Sequence, residues 1–304
     1  MKSGVFCDTE SLYWPIRTRT AFAMTQRKIE KSIHTRLSKD DDYGAYLGLD
    51  RLLAAQEPLT DPPHPDELLF IIQHQVAELW MKLVLHEINR AMGFFREDKV
   101  PQAVKGLARV RHVQNQLYGQ WKVLDTLTPS EYAEFRHVFG NASGFQSAQY
   151  RLLEFQLGNK NRSMVKLHRH QPHWQTKLED ALYAPSLYDE FLIHLARRGC
   201  PIPADVLDRD FSVIRGESDG VIAVLKTIYE DPAANWTWYE VCEALMDIGN
   251  NFQFWRFHHL KTVERIIGHK HGTGGSSGVP FLKRAIDMEF FPELIRVRTE
   301  IGQD

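Results

Sequence analysis

A histidine within an apolar stripe is the first feature of this sequence that could do chemistry. His259 follows Phe252 and Trp255 along one face of a long predicted helix. A rigid helix that presents one imidazole into an apolar wall can supply the axial ligand of a haem iron. A core histidine bonded to a carbonyl or carboxylate gives the same pattern, so both readings stay open. His258 points about 100° away on the helix and is the weaker candidate.

Phe70 and His74 form a second candidate pair. They are four residues apart in a predicted helix, so they share a face. An aromatic ring beside a neutral imidazole can hold a flat, partly polar ligand. The alternative is a pair that packs two helices together.

Tyr132 and Arg136 have the same spacing and follow a helix start at TPSE. A guanidinium on that face can grip a carboxylate through two parallel hydrogen bonds. A surface salt bridge is the competing interpretation.

The segment GHKHGTGGSSG, residues 268–278, is rich in glycine. A phosphate-binding loop is weakly supported, because no strand precedes it and no Lys-Ser/Thr follows the glycines. A flexible linker is one alternative. A mobile lid is the other, with Thr273 offering a hydroxyl group to a ligand.

Metal and hydrolase motifs are weak elsewhere. The histidines of LHRHQPHW (His168, His170 and His173) have spacing that permits metal capture, but the flanking Lys166 and Pro172 indicate an exposed loop. His86 and Glu87 are not followed by the second histidine of the zinc-hydrolase motif H-E-x-x-H. The G-x-S-x-G motif of serine hydrolases does not occur.

Composition places the chain among ordinary soluble proteins. It has 304 residues, a formal net charge of -2, 43% hydrophobic and 25% charged residues. The near-neutral charge argues against nucleic acid as a partner. No apolar run reaches the ~18 residues of a membrane span, and no secretion signal is visible at the start. Three scattered cysteines favour a reducing cytoplasm.

The elements that must position these side chains are helices. Residues 1–40 show no clean period and predict an N-terminal arm that could be disordered, followed by one helical domain over 41–304. The predicted helical runs begin near Asp42 and cover about 66–98, 101–126 and 235–267. A proline-rich loop at 57–65 separates the first two. Strand signals are weak throughout, so the sequence predicts an all-α fold.

Two local patterns are specific enough to test. Thr128 is predicted to cap a helix that begins at Pro129, with Glu131 completing a capping box. The last long helix has a stripe with steps of four and three, with Arg256 and Glu264 opposite it. The stripe consists of Val241, Leu245, Ile248, Phe252, Trp255, His259, Thr262 and Ile266.

Six segments, in order, resemble the tryptophan 2,3-dioxygenase family. They are YGAYLGLDRLL, DELLFIIQHQVAELWMKL, LTPSEYAEFR, GNASGFQSAQYR, FQFWRFHHLKTVERIIG and KHGTGGSSGVPFL. The resemblance runs from about Tyr43 to the C-terminus. Pro65, before the acidic pair, is a local departure from the family pattern that bears only on loop geometry.

The resemblance implies a haem-binding helical bundle that inserts O2 into the indole C2–C3 bond of L-tryptophan. The product would be N-formyl-L-kynurenine, the first step of tryptophan degradation by the kynurenine route. The implied cofactor is haem b, active as Fe2+, with O2 as co-substrate. The implied assembly is a homotetramer.

The resemblance also implies residue roles. His259 would be the proximal iron ligand, and His74 would hydrogen-bond the indole N–H as an orienting catalytic group. Arg136 would hold the substrate carboxylate, and Thr273 would bond the ammonium and carboxylate. The full set of implied substrate-binding residues is Phe70, Ile71, Ile72, Gln73, His74, Tyr132, Arg136 and Thr273, with Tyr43, Tyr46 and Leu47 reaching into a neighbouring subunit's site.

Three other functions remain open at this point. A haem-binding oxygen or redox sensor would use His259 but would need neither Arg136 nor the lid. A haem-free helical interaction protein would bury all these residues as core. A related dioxygenase with looser indoleamine specificity is the closest rival.

Overall fold

The computed structural model describes residues 29–35, 38 and 42–303, and within them every regular element is a helix. The all-α prediction is therefore confirmed. The predicted N-terminal arm falls almost wholly outside the described residues, so its order stays a prediction. The chain divides into two units, one ending at Ala55 and the other comprising Gln56–Asp304.

The first unit contains two short helices, α1 (Tyr43–Leu47) and α2 (Leu49–Leu53). The Asp42 side chain caps α1 by accepting a hydrogen bond of 2.6 Å from the Ala45 backbone N–H. Gly48 then adopts a φ of 63°, which ends α1 and begins α2. The predicted start near Asp42 is confirmed, but this left-handed residue divides the helix.

The second unit holds the remaining helices. In chain order these are α3 (Pro65–Arg96), α4 (Val100–Gly119), α5 (Trp121–Leu124), α6 (Pro129–Phe135), α7 (Ala148–Gln156), α8 (Arg162–Val165), α9 (Pro172–Tyr183), α10 (Leu187–Arg197), α11 (Ala204–Leu207), α12 (Asp219–Glu230), α13 (Trp236–Ile267), α14 (Val279–Ile286) and α15 (Pro292–Glu300). Short 3-10 helices cover Arg136–Phe139, Gly144–Gln146 and Lys166–His168.

Three long helices form the centre of the second unit. α4 packs against both α3 and α13, while α10 and α7 pack on α3. Ile88, Leu107 and Ile248, one from each long helix, are fully buried in one continuous core. Burying such a side chain contributes about 1.5–3 kcal/mol to the stability of the fold. The three helices therefore form a rigid frame for the candidate site residues on α3 and α13.

Of the helices in the described ranges, α3 alone is long and apolar enough to cross a membrane by length and composition. The core helix of a folded protein meets the same criteria. Val84, Ile88 and Phe95 of α3 are fully buried against other helices, so the observation is weak evidence for a membrane span.

The predicted helix boundaries agree with the structure at the caps. The Thr128 hydroxyl accepts from the Glu131 N–H at 3.3 Å, and the Glu131 carboxylate accepts from the Thr128 N–H at 2.8 Å. Pro129 is the first residue of α6. This reciprocal capping fixes the start of the helix that leads to Arg136. The run predicted at 101–126 is instead broken near Gln120 into α4 and α5.

Arg256 corrects the sequence prediction for α13. It was expected opposite the apolar stripe, yet it is 3% exposed. Its guanidinium donates to Glu154 at 2.8 Å, to the Ala285 carbonyl at 3.0 Å and to the Met288 carbonyl at 3.2 Å. It also donates to the Tyr150 hydroxyl at 3.2 Å. A buried cation needs such partners to offset its desolvation, so Arg256 joins α13 to α7 and to the chain around α14.

The exposed-loop prediction for LHRHQPHW is wrong for His168, whereas His170 and His173 are exposed as predicted. His168 ends a 3-10 helix and is 2% exposed, and α9 begins four residues later at Pro172. Within the described part of the chain, no group of three or more His, Cys, Asp or Glu side chains could hold a metal ion.

We expect Glu154→Gln to lower the free energy of unfolding by about 3–5 kcal/mol, because it leaves two buried arginines, Arg151 and Arg256, without their shared carboxylate. Urea denaturation measures the change. The matched control is Glu97→Gln, which removes an exposed pair with Lys99 and should cost under about 1 kcal/mol. Equal losses in the two variants would contradict a special role for the buried pair.

Candidate functional site

His259 projects from α13 beside two indole rings that also contact each other at 5.4 Å. Its ring stacks on Trp121 with centroids 4.8 Å apart and planes 11° apart, and Trp255 lies 5.5 Å away. The imidazole makes no hydrogen bond to any residue that the structure describes. Burial, and secondarily the nearby His74, lowers the pKa of His259 to about 4. The ring is therefore neutral near pH 7, with a lone pair available.

The adjacent His258 is occupied by different contacts. Its Nε2 lies 2.8 Å from an Asp125 carboxylate oxygen, and Thr262 donates to the other oxygen at 2.6 Å. Burial alone would raise the pKa of Asp125, but these hydrogen bonds outweigh burial and lower the pKa. Asp125 thus holds the Nε2 side of His258 at the end of α5 and leaves its buried Nδ1 without a partner among the described residues, whereas neither ring nitrogen of His259 is bonded there.

The residues around His259 fit a haem. The indole N–H groups of Trp121 and Trp255 are both buried and lack a hydrogen-bond partner among the described residues. Buried donors normally find acceptors, so two orphaned donors beside an unbonded imidazole indicate a missing partner. A haem offers an iron that binds a neutral imidazole and carboxylates that accept hydrogen bonds.

His74 has a defined tautomer. Its Nδ1 lies 2.7 Å from the Phe70 carbonyl oxygen, which can only accept, so Nδ1 carries the proton. Burial lowers the pKa of His74, although the Phe70 carbonyl and Glu78 oppose the effect. The neutral ring therefore keeps an acceptor lone pair on Nε2.

An aromatic cluster is centred on Phe70, the ring that contacts His74. The Phe70 ring lies 4.1 Å from the His74 ring and stacks on Phe139 at 4.7 Å. Tyr132 and Phe135 lie 5.9 and 6.0 Å from Phe70. Phe70 thus places the neutral imidazole at the edge of an apolar cluster, which suits a flat aromatic ligand with one polar edge.

Arg136 lies where α6 passes into a 3-10 helix, one turn after Tyr132. Its Nη2 donates to the His271 carbonyl in the glycine-rich segment. Burial raises the pKa of Tyr132, while the neighbouring Arg136 guanidinium opposes that effect. The predicted pair is therefore in contact, and the remaining guanidinium N–H groups can still bind a carboxylate.

The glycine-rich segment, residues 268–278, is docked on the loop before α7. Thr273 donates its hydroxyl to the Ala142 carbonyl at 2.5 Å. A Cβ on Gly274 would lie 2.8 Å from the Cβ of Ser143, and Gly278 has a φ of 69°. Glycine at these positions allows the close approach and the left-handed backbone. Arg136 and Thr273 each form one hydrogen bond that holds the segment in this position.

The other predicted site residues differ in placement. Gln73 is buried and Ile71 half-buried on α3, while Ile72 is 43% exposed and lies about 200° around the helix from Phe70. The structure thus does not bring Ile72 to the aromatic cluster. Tyr43, Tyr46 and Leu47 belong to the first unit, where they are 74%, 88% and 44% exposed. Their part in a neighbouring subunit's site stays a prediction.

Two residues of the site were missed from the sequence. Trp121 begins α5 and stacks on His259, while Phe139 stacks on Phe70. Phe139 is three residues after Arg136, a spacing that could have suggested a shared face. Trp121 is more than a hundred residues from His259, so no local pattern indicates their contact.

Comparison with known proteins agrees with the resemblance seen in the sequence. The family model described as tryptophan 2,3-dioxygenase matches residues 28–188 and 216–301. A tryptophan 2,3-dioxygenase of Kineococcus radiotolerans is 55% identical over 276 residues, covering 91% of this chain and 96% of the relative. The enzymes of that name from Arthrobacter sp. and Serratia proteamaculans are each 52% identical, covering 91% and 92% of this chain and 98% and 100% of their own.

We expect the haem-free protein to lose stability in acid through His259. Its pKa is 6.5 in the unfolded chain and about 4 in the fold, so the unfolded state binds the proton more readily between these values. The free energy of unfolding therefore falls as pH drops through this window, by about 2–3 kcal/mol between pH 7 and 4.5. Urea unfolding at the two pH values should show that His259→Leu removes this loss.

The control is His170→Leu, which changes an exposed histidine and should leave the acid loss as in the wild type. An unchanged acid loss in His259→Leu would contradict a buried, neutral imidazole.

Proposed function

This chain belongs to the tryptophan 2,3-dioxygenase family, and we propose that it inserts both atoms of O2 across the indole C2–C3 bond of L-tryptophan. The product is N-formyl-L-kynurenine, so the reaction is the first step of tryptophan degradation by the kynurenine route. The observation that carries the proposal is the His259 imidazole, which is neutral and unbonded within the described residues, with His74 nearby.

The proposed cofactor is haem b in the Fe2+ form, held by His259. Bound there, the haem supplies the activation of O2 that amino-acid side chains cannot provide. The indole N–H groups of Trp121 and Trp255 would donate to acceptors on the cofactor, which accounts for their burial without a protein partner.

The substrate indole ring would bind against the aromatic cluster. His74 Nε2 accepts the indole N–H, because its Nδ1 proton is already committed to the Phe70 carbonyl. The Phe70 ring, which stacks on Phe139, would offer an apolar face to the indole. His74 acts as an orienting group, and positioning of this kind accounts for much of enzyme catalysis.

The amino-acid end of the substrate would be held by Arg136 and the glycine-rich segment. The Arg136 guanidinium binds the carboxylate through N–H groups not used by the His271 carbonyl. The Thr273 hydroxyl, now bonded to the Ala142 carbonyl, can rotate to the substrate ammonium and carboxylate. The docked segment excludes water from the reacting centre.

A homotetramer and a cytoplasmic location belong to the same proposal. Tyr43 and Tyr46 support the assembly, because two largely exposed tyrosines on one short helix suit contact with a neighbouring subunit. Cys200 and Cys242 are free thiols, which is compatible with a reducing compartment. Sedimentation velocity of the full chain tests the tetramer.

We expect haem-loaded, reduced protein to convert L-tryptophan in air to a product with formylkynurenine absorbance. Arg136→Leu should retain the Soret band but lower kcat/KM for L-tryptophan about 100-fold, since a charge-assisted grip contributes about 3 kcal/mol. Tryptamine, which lacks the carboxylate, should be turned over equally slowly by the wild type and by Arg136→Leu.

The control for that experiment is Arg169→Leu, an exposed position that should leave both substrates unaffected. His259→Leu should lose the Soret band after reconstitution. A Soret band without product in the wild type would indicate a haem-binding sensor. Equal turnover of L-tryptophan and tryptamine would indicate the dioxygenase with looser indoleamine specificity.

We expect His74→Ala to retain turnover at about 3–20% of the wild-type kcat/KM, because one hydrogen bond contributes about 1–2 kcal/mol. With 1-methyl-L-tryptophan, which has no indole N–H, the same substitution should change kcat/KM much less. Steady-state kinetics of both proteins with both substrates measures this coupling. Complete loss of turnover with normal haem and substrate binding would instead make His74 an essential base.

A further inference from the structure

A cavity of about 780 Å³ lies between α3, α7 and α9, and no residue of the proposed catalytic site lines it. Its volume lies within the range of small-molecule binding sites. The walls combine amide, cationic and aromatic side chains. These groups indicate, respectively, the hydrogen bonding, the charge and the shape of a ligand that would fit.

Gln156 provides an orphaned acceptor in the wall of this cavity. The side chain is 8% exposed, and its Nε2 donates to Asn89 Oδ1 at 2.9 Å. Asn89 in turn donates its Nδ2 to the Leu85 carbonyl at 2.9 Å, which fixes both amide orientations. Gln156 Oε1 is therefore left as a buried acceptor without a partner among the described residues. Such a group favours a ligand that donates a hydrogen bond.

The charged groups of the lining favour an anion. Lys82 and Lys177 line the cavity, and neither forms an ion pair within the described ranges. Arg96 also lines it but is paired with Glu190 at 2.6 Å. Asp180 is the sole carboxylate among the lining residues. Asp180 likewise forms no ion pair within the described residues, so the unpaired charges that line the cavity are two cations and one anion, a net positive charge.

Trp174 adds a flat aromatic surface. Its indole ring lies 5.1 Å from Lys177 Nζ, and the His173 ring meets it edge-on at 5.6 Å. A planar aromatic ligand can stack on such an indole while its anionic group meets the neighbouring lysine.

We propose that this cavity binds a planar aromatic carboxylic acid that carries an N–H donor. The carboxylate lies between Lys82 and Lys177, the ring stacks on Trp174, and the N–H donates to Gln156 Oε1. Binding here is independent of the haem ligand and of Arg136, so this site is separate from the proposed catalytic one.

The test uses the haem-loaded full chain and the fluorescent probe 3-amino-2-naphthoate, which has two fused rings, a carboxylate and an amine. We expect saturable binding in a fluorescence titration at millimolar or lower concentration, unchanged by Arg136→Leu. Two matched probes separate the contacts: 2-naphthoate lacks the donor and 2-naphthylamine lacks the carboxylate, and each should bind at least three-fold more weakly.

Variants assign the contacts. Lys82→Gln with Lys177→Gln should weaken the aminonaphthoate about ten-fold but leave 2-naphthylamine unaffected, and Lys122→Gln, outside the cavity, is the matched control. Trp174→Leu should weaken all three probes. Gln156→Leu should remove the advantage of the aminonaphthoate over 2-naphthoate. The lysine and tryptophan variants should keep wild-type turnover of L-tryptophan, which reports that they remain folded.

Three results would overturn the proposal. The first is no saturable binding of the aminonaphthoate. The second is equal binding by the double lysine variant and the wild type. The third is loss of binding in Arg136→Leu, which would place the probe in the catalytic site instead.

Discussion

The rotation of α13 about its own axis determines which histidine faces the candidate site, and Arg256 fixes that rotation. Its buried guanidinium is held by Glu154 and by the Ala285 and Met288 carbonyls, so it cannot turn without stranding a cation in the core. His259 lies one turn further along the same helix. A shift of one residue would turn the helix by about 100° and present His258 in its place.

The adjacent histidines of α13 have the same side chain but different surroundings, so one is hydrogen-bonded to a carboxylate and the other is not. Asp125 engages the His258 ring, and Thr262 bonds the same carboxylate. His259, one residue later, faces indole rings and no hydrogen-bonding group of the described chain, so desolvation dominates its pKa. Asp125 lies beside His258 alone, so both ring nitrogens of His259 stay unbonded among the described residues.

Features that depend on local sequence were predictable, and features that depend on distant contacts were not. The capping box at Thr128 and the stripe along α13 follow from spacing, and both agree with the structure. Arg256 was misplaced because its partner, Glu154, is a hundred residues earlier in the chain. His168 was expected on the surface because prolines and charges flank it, yet the fold buries it. The contact between Trp121 and His259 was missed because these residues, too, are more than a hundred positions apart in the chain.

The glycine-rich segment already bonds Arg136, the cation that we propose binds the substrate carboxylate. Arg136 bonds the His271 carbonyl, so the loop backbone already occupies part of the guanidinium before any carboxylate arrives. A carboxylate is the stronger acceptor of the two, and its arrival can release the loop or be shared with it. Ligand entry and loop order are then thermodynamically linked, and the linkage is reciprocal. An inhibitor that leaves the guanidinium untouched would lack this coupling and would not change the order of the segment.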